Sequence, residues 1–345
     1  MIPKKRLPLK HLAMFGWLPS PLKVWVYRTF LGYRIGKGVK IGFGAAIVGD
    51  DVELAEHVEI GVLALVIGRR ISIGRYSSVG MMSYVACEHI TMGEDARIRE
   101  QVFVGGPQFP DSSFTLGSRT IVLQMAYINP SKAVTIGDDS GIGGHCLIFT
   151  HGAWLNVLDG YPVTYQPVTI GRSVWLPWRV FVMPGSTIGD GSVIGANSLV
   201  QGEIPARSLA VGTPAKVIRQ APDFPKPLTD GERSRIVADI VAQFDAYVAY
   251  ENTRIEHADG LRTYVRGKRR WRLAWWREGS PPAALTAGDT LLTEVALTIE
   301  RRRELGALGV YWLDLAGRTR SASGNGLTEE LASFLGRWGI RLERG

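Results

Sequence analysis

An aliphatic residue returns at every sixth position between Val168 and Val200. The recurring residues are Ile170, Leu176, Val182, Ile188, Ile194 and Val200. A helix repeats its apolar face about every 3.6 residues and a half-buried strand every two, so neither explains a period of six as a single element. A short strand followed by a bend makes one side of a triangular coil, and three such sides make a coil of about 18 residues. The pattern predicts a parallel β-helix.

The same spacing occurs upstream, with interruptions. It is found in Ile35, Ile41 and Ile47; in Ile67, Ile73, Val79 and Val85; in Met92, Ile98 and Val104; and in Ile136, Ile142 and Ile148. Small or β-branched residues four places after the anchors, such as Ser192 and Ser198, are expected at tight inner corners. The glycines that directly follow anchors, such as Gly171, Gly189 and Gly195, are expected to adopt positive φ.

The limits of this periodicity divide the chain into four parts. Residues 1–34 form a basic segment with a helix, for which Ser20 is the expected N-cap, and residues 35–219 form the β-helix. The proline-rich stretch 220–228 is typical of a linker. Residues 229–345 are expected to form an accessory α+β domain, with a helix from Thr229 to about Tyr250 and another from Thr290 to Arg303. The predicted fold class is therefore mainly β, with a small α+β domain to which no motif assigns a role.

Composition and charge indicate where the protein is located and which part of the chain is basic. The chain has 345 residues, and no apolar run reaches the roughly 20 residues of a membrane-spanning helix. Its cysteines, Cys87 and Cys146, are too few for a disulfide framework or a metal cluster, which favours a cytoplasmic location. The net charge of +8 is concentrated at the start, where residues 1–40 contain nine Lys or Arg and no Asp or Glu.

The basic segment has two interpretations. Its helix could close the open end of the β-helix, or the segment could make peripheral contact with an anionic membrane at the inner face. Nucleic acid is not expected as a partner, because no recognition motif accompanies the charge. A second basic cluster, Arg266 to Arg272 among tryptophans, could bind an anion or protect the edge of a sheet.

The stretch from Pro167 to Arg219 carries the motifs PVTIG, PGSTIGD, VIGANS and GTPAKVIR in that order. Together with the six-residue period, it resembles the left-handed β-helix (hexapeptide-repeat) acyltransferases, and in particular the galactoside, maltose and antibiotic O-acetyltransferases. The resemblance implies a left-handed coil, a homotrimer, and acetyl-CoA as the acyl-donor cosubstrate, with no metal.

The resemblance also implies a catalytic histidine in the loop before PVTIG. Here that histidine is His151, sixteen residues before Pro167. An alcohol attacks a thioester more easily when a neutral imidazole accepts its proton, an effect worth about 10² to 10⁴ in rate. His151 is therefore the expected general base.

For the cosubstrate, the resemblance implies a groove between two prisms that holds the pantetheine arm. Residues Gly195, Ala196, Asn197 and Ser198 match the family's G-A-G-S, with Asn where Gly is usual. Lys216 and Arg219 match basic residues that meet the CoA phosphates. These six residues are the expected acetyl-CoA contacts.

The acceptor pocket is expected to form from two insertions, residues 105–133 and 150–167. They contain Asn129, Trp154, Tyr161 and Tyr165. Aromatic rings and amides suit a carbohydrate, and the resemblance implies an acceptor-binding Asn near position 129. The expected reaction is O-acetylation of a sugar or sugar-containing acceptor in surface-polysaccharide, glycoconjugate or natural-product biosynthesis.

Three alternatives remain open at this point. The acceptor could be the amine of an amino sugar, or the β-helix could be a scaffold without activity, although a base at His151 argues against the latter. The γ-type carbonic anhydrases share this fold and bind zinc through three histidines. Because His145 and His151 are six residues apart, they lack the shorter spacing of those ligands.

Overall fold

The computed structural model describes residues 8–258, 260–277, 279, 282 and 284–345. The chain divides into two units, Met1–Pro227 and Leu228–Gly345. Residues 1–7 of the predicted basic segment, with Lys4, Lys5 and Arg6, lie outside the described residues.

The first unit is a triangular prism of three parallel sheets. Face 1 contains Arg34–Ile35, Asp51–Leu54, Arg70–Ile73, His89–Met92, Ser113–Leu116, Val134–Ile136, Val168–Ile170, Thr187–Ile188 and Glu203–Ile204. Face 2 contains Lys40–Ile41, Glu59–Ile60, Ser78–Val79, Arg97–Ile98, Ile121–Val122, Gly141–Ile142, Trp175–Leu176, Val193–Ile194, Ser208–Gly212 and the antiparallel Ala215–Gln220. Face 3 contains Ala46–Val48, Leu65–Ile67, Tyr84–Ala86, Phe103–Val104, Tyr127–Asn129, Leu147–Phe149, Phe181–Val182 and Leu199–Val200.

The expected left-handed parallel β-helix is confirmed, and its anchors form the core. Each anchor from Ile170 to Val200 is at most 1% exposed. At the inner corners, hydroxyls replace missing backbone partners. Ser192 Oγ, for example, donates to the carbonyl of Pro205 at 2.8 Å and accepts from the Ser208 N–H at 3.1 Å.

Coil length is not constant. Thr169 pairs with Thr187, a step of 18 residues, but Asp51 pairs with Arg70, a step of 19. The extra residue lies at the corner between faces 3 and 1, where the carbonyl of Arg69 accepts from the backbone N–H groups of both Asp50 and Asp51. The extra residue moves the six-residue repeat of buried anchors by one position. Val66 is therefore fully buried, in the inward position that was predicted for Ile67.

The prediction of positive φ at Gly171, Gly189 and Gly195 is wrong. These glycines are instead required by close approach between coils: a Cβ on Gly189 would lie 2.4 Å from the backbone nitrogen of Ala206. The left-handed turn comes two residues later, for example at Asn197 with φ 57°.

Two segments leave the prism at the corner between faces 3 and 1. The first is residues 105–112, shorter than the predicted insertion 105–133, because the chain from Ser113 onward returns to regular strands. The second, residues 150–167, is a hairpin in which His151–Gly152 pairs antiparallel with Thr164–Tyr165 around a 3₁₀ turn, Val157–Asp159. Both insertions thus emerge at one edge of the prism.

Two helices, α1 (Leu9–Phe15) and α2 (Ser20–Phe30), cover the first coil. Ser20 is not the N-cap: Pro19 holds that position, and Ser20 Oγ accepts a hydrogen bond from Ile41 N–H at 2.9 Å. Lys23 is fully buried, and its Nζ donates to the carbonyls of Gly16, Gly42 and Ala45 at 3.1, 2.8 and 3.1 Å. The capping role expected of this helix is therefore supported by contacts with the coil.

The second unit is an α+β fold. Its sheet contains, in order, Arg254–Ala258, Leu261–Arg266, Arg269–Trp276, Thr290–Thr293, Tyr311–Asp314, Thr319–Arg320 and Glu343–Arg344. Helices α3 (Asp230–Tyr250) and α5 (Gly326–Arg337) share one core cluster on this sheet, and α4 (Ile299–Ala307) belongs to another. Thr229 caps α3 in a capping box with Glu232, as the sequence predicted for the helix start.

Two expectations for this unit are wrong. The predicted helix from Thr290 to Arg303 begins with a fully buried strand, and α4 starts only at Ile299. The basic strand Arg269–Trp276 is interior to the sheet and not an edge. Its Arg272 pairs with Asp289 at 2.7 Å and Arg270 with Glu256 at 2.8 Å, so much of that positive charge is neutralised.

Candidate active site

His151 begins the hairpin at the corner between faces 3 and 1. The preceding residue, Thr150, is fully buried, and its hydroxyl donates to the carbonyl of Asn129 at 2.7 Å and accepts from Lys132 N–H at 2.9 Å. These bonds fix the root of the hairpin against the previous coil. The imidazole is thereby held beside Asn129.

The protonation of the imidazole follows from its neighbours. Asn129 Oδ1 accepts from the backbone N–H of Ser131 at 3.2 Å and from the Ser131 hydroxyl at 2.8 Å. The same oxygen lies 3.1 Å from His151 Nδ1. Because the amide atom is an acceptor, Nδ1 must carry the proton in the neutral ring, and Nε2 keeps a free lone pair.

Two aromatic rings lie next to His151. The Tyr165 ring stacks on the imidazole at a centroid distance of 5.7 Å and an angle of 13°, and Phe149 lies 6.2 Å away. Burial lowers the pKa of His151 below its ordinary value of 6.5. The ring is therefore mostly neutral at pH 7, the form in which Nε2 can accept a proton.

The other predicted acceptor residues are not all near the imidazole. Asn129, 2% exposed, and Tyr165 contact it. Trp154 and Tyr161 lie farther along the hairpin, where Trp154 is 96% exposed. The structure therefore groups Asn129 and Tyr165 with His151, and it leaves the outer hairpin residues in solvent.

The predicted acetyl-CoA residues lie at a different edge. Gly195, Ala196 and Asn197 form a corner between faces 2 and 3, and Lys216 lies with Arg219 on the exposed strand Ala215–Gln220. Ser198 is 2% exposed, and its hydroxyl accepts from Gly212 N–H at 3.0 Å. Its side chain closes the corner, so a ligand at this site would meet the backbone of Ser198 and not its hydroxyl. Asn197 has φ 57°, which explains why a residue tolerant of this conformation replaces the usual Gly.

Two relatives of known name match part of this chain. The chain is 34% identical over 128 residues to "Putative colanic acid biosynthesis acetyltransferase WcaF" of Escherichia coli, covering 37% of this chain and 68% of that protein. It is 34% identical over 142 residues to galactoside O-acetyltransferase of E. coli, covering 38% of this chain and 66% of that protein. The chain belongs to the hexapeptide-repeat acetyltransferase family. No family model matches it.

The extent of this family likeness is limited. The chain spans 66% of the length of the galactoside enzyme and 27% of the length of other curated relatives. Among solved structures, galactoside acetyltransferase in complex with coenzyme A is 20% identical, with a TM-score of 0.27, over 65% of this chain and 86% of that one.

One part of this hexapeptide-repeat site was missed by the sequence analysis. Phe109, from the first insertion, meets the Tyr165 ring edge-on at 5.0 Å, and Lys132 Nζ lies 4.8 Å from the Phe109 ring centre. Lys132 also pairs with Asp111 at 2.8 Å. The insertion 105–112 thus closes one side of the site. No short motif marks these residues, because their contact depends on how adjacent coils align.

The described ranges contain neither a metal cluster nor a membrane-spanning helix. No group of three or more His, Cys, Asp or Glu side chains there could hold a metal ion. None of the helices in those ranges has the length and apolar character needed to cross a bilayer.

Proposed function

We propose that this chain transfers an acetyl group from acetyl-CoA to a hydroxyl of a sugar or sugar-containing acceptor, with His151 as the general base. The observation that carries the proposal is the bond from His151 Nδ1 to Asn129 Oδ1, because it directs the unprotonated Nε2 away from that partner. A lowered pKa keeps the base neutral near pH 7.

The proposed reaction is direct transfer. The acceptor oxygen attacks the thioester carbonyl while Nε2 of His151 takes the hydroxyl proton. Collapse of the tetrahedral intermediate breaks the C–S bond, and the imidazolium returns the proton to the departing thiolate. The thioester is already activated, so no covalent enzyme intermediate is needed.

Asn129 has two functions in this proposal. Its oxygen fixes the tautomer of His151, while none of the described residues accepts a hydrogen bond from its Nδ2. We assign this donor to the acceptor. Tyr165, next to the imidazole, would supply a ring surface for the sugar, and Trp154 and Tyr161 would reach the acceptor only from the outer hairpin.

We further propose that acetyl-CoA binds between two copies of the chain in a homotrimer. His151 and the predicted acetyl-CoA residues around Asn197 lie at different edges of one prism, so a second copy is needed to bring them together. Face 3, which joins these edges, carries an outer row of stacked rings that includes Tyr84, Phe103 and Tyr127 at 5.0 and 4.9 Å. Such an apolar surface suits a subunit contact.

The acceptor class rests on the relatives. Proteins named for galactoside O-acetylation and colanic acid biosynthesis act on carbohydrate, and we extend that class to this chain. Surface-polysaccharide, glycoconjugate or natural-product biosynthesis is the proposed context. We place the reaction in the cytoplasm, in keeping with the free thiols Cys87 and Cys146.

The test combines calorimetric titration with acetyl-CoA and a transfer assay over a panel of sugars and amino sugars. We expect about one site per chain, and we expect His151→Ala to lower turnover by about 10² or more without loss of binding. His257→Ala, at an exposed histidine of the second unit, is the matched control. Absence of binding at millimolar acetyl-CoA would overturn the proposal, and transfer to amines alone would change it to N-acetylation.

A further inference from the structure

The helices that cover the first coil expose an unusual set of large apolar side chains. Five of them define the cap surface: Met14 at 61% exposed, Trp17 at 62%, Leu22 at 43%, Trp25 at 53% and Phe30 at 68%. Trp25 and Phe30 meet edge-to-face at 5.5 Å. Clustered exposed apolar residues on a folded protein indicate an interaction surface.

The outward position of the cap-surface residues on α2 is fixed by what this helix buries. Its inner side consists of Val26, Tyr27 and the fully buried Lys23. Lys23 Nζ donates to one carbonyl at the end of α1 and to two carbonyls of the first coil. Rotation of α2 to hide Trp25 would therefore leave a buried ammonium group and those carbonyls without hydrogen-bond partners. The helix therefore presents its aromatic side to solvent as its stable arrangement.

The positive charge of the N-terminal segment favours an anionic partner for the cap surface. Residues 1–40 contain nine Lys or Arg and no Asp or Glu. Three of them do not contribute free charge to the surface, because Lys23 is buried and Arg34 and Lys40 pair with acidic side chains of the second coil. Lys10 and Lys37 lie on exposed residues of the same segment. Cap-to-cap pairing of two copies would bring like charges together, whereas an anionic bilayer surface attracts them. Tryptophan is enriched where apolar and aqueous regions of a bilayer meet.

We propose that the cap surface docks on an anionic lipid surface. Trp17, Trp25 and Phe30 would enter the headgroup region, and the basic residues would lie against lipid phosphates. Helices α1 and α2, of 7 and 11 residues, are too short to span a bilayer and fit contact with one leaflet. This inference does not depend on the proposed acetyl transfer.

The test is co-sedimentation of the full chain with vesicles. One set contains phosphatidylcholine alone, and the other contains phosphatidylcholine with 30% phosphatidylglycerol (about one lipid in three, as an anionic surface). We expect binding to the anionic vesicles that weakens as salt rises. The double variant Trp17→Gln, Trp25→Gln should reduce the bound fraction at least about tenfold, and Lys37→Glu should reduce it roughly fivefold.

Two controls keep the result interpretable. Trp338→Gln removes a tryptophan of similar exposure, 49%, from the second unit and should bind vesicles as the native chain does. Thermal unfolding of each variant confirms that the β-helix is intact. Absence of binding to anionic vesicles, or binding that survives loss of both tryptophans, would overturn the proposal. So would self-association abolished by the same double variant, because that result assigns the cap surface to a second copy.

Discussion

The carboxamide oxygen of Asn129 and Nδ1 of His151 are 3.1 Å apart, although the two residues are 22 positions apart in the chain. The contact joins face 3 of one coil to the hairpin that follows the next. Because backbone N–H of Ser131 also donates to this oxygen, the amide orientation is determined, and with it the tautomer of the proposed base.

Replacement of Asn129 by Asp should change the pH profile of transfer. In the native chain burial lowers the pKa of His151, so the acid limb of kcat/KM should lie below pH 6.5. A carboxylate at this distance stabilises the imidazolium, so it should raise the pKa of His151 and move the acid limb to higher pH by about 1 to 3 units. The measurement is kcat/KM from pH 5 to 9 (roughly the range in which imidazole titrates). An unmoved acid limb would show that Asn129 does not act through His151.

Tyr165→Ala should impair transfer because the stacked ring restricts the imidazole. We expect kcat to fall about tenfold, since a mobile base spends less time in the productive orientation. Tyr165→Phe is the matched variant and should retain most of the activity, because the ring remains. Equal losses in both variants would point to the phenol hydroxyl instead of the stack.

Lys23→Met should destabilise the first unit. Removal of the ammonium group leaves the carbonyls of Gly16, Gly42 and Ala45 without this donor. The expected loss in the free energy of unfolding is about 2 to 4 kcal/mol, measured by urea denaturation. Lys37→Met, at an exposed position, should change it by less than about 0.5 kcal/mol.

Substitutions at Asn197 distinguish the effect of its backbone conformation from the effect of its side chain on acetyl-CoA binding. Asn197→Gly should leave unfolding within about 0.5 kcal/mol of the native value, whereas Asn197→Val should cost about 1 to 2 kcal/mol at this positive φ. Calorimetric titration of Asn197→Gly with acetyl-CoA then reports only the side chain. Unchanged affinity would assign any contact at this corner to the backbone.

Sequence and tertiary structure contributed different parts of the site. The sequence predicts His151 as the base because a histidine stands sixteen residues before the PVTIG motif, the position that the family resemblance implies. Phe109 and Lys132 could not, because they reach Tyr165 only through the alignment of coils and an insertion of irregular length. That the Ser198 hydroxyl accepts from Gly212 N–H also depends on the alignment of coils, and it leaves the backbone of Ser198 for the predicted acetyl-CoA contact.

By itself, the sequence determined the β-helix, because each apolar anchor belongs to a short local repeat that recurs along the chain. It also determined the start of α3, because a capping box involves only the neighbouring residues Thr229 and Glu232. Tertiary structure decided which residues meet. A coil of 19 instead of 18 residues is a matter of register between strands, and the inward position of Lys23 depends on carbonyls up to 22 residues away. Contacts of this kind arise only when separate coils are brought into hydrogen-bonding register, which no local pattern specifies.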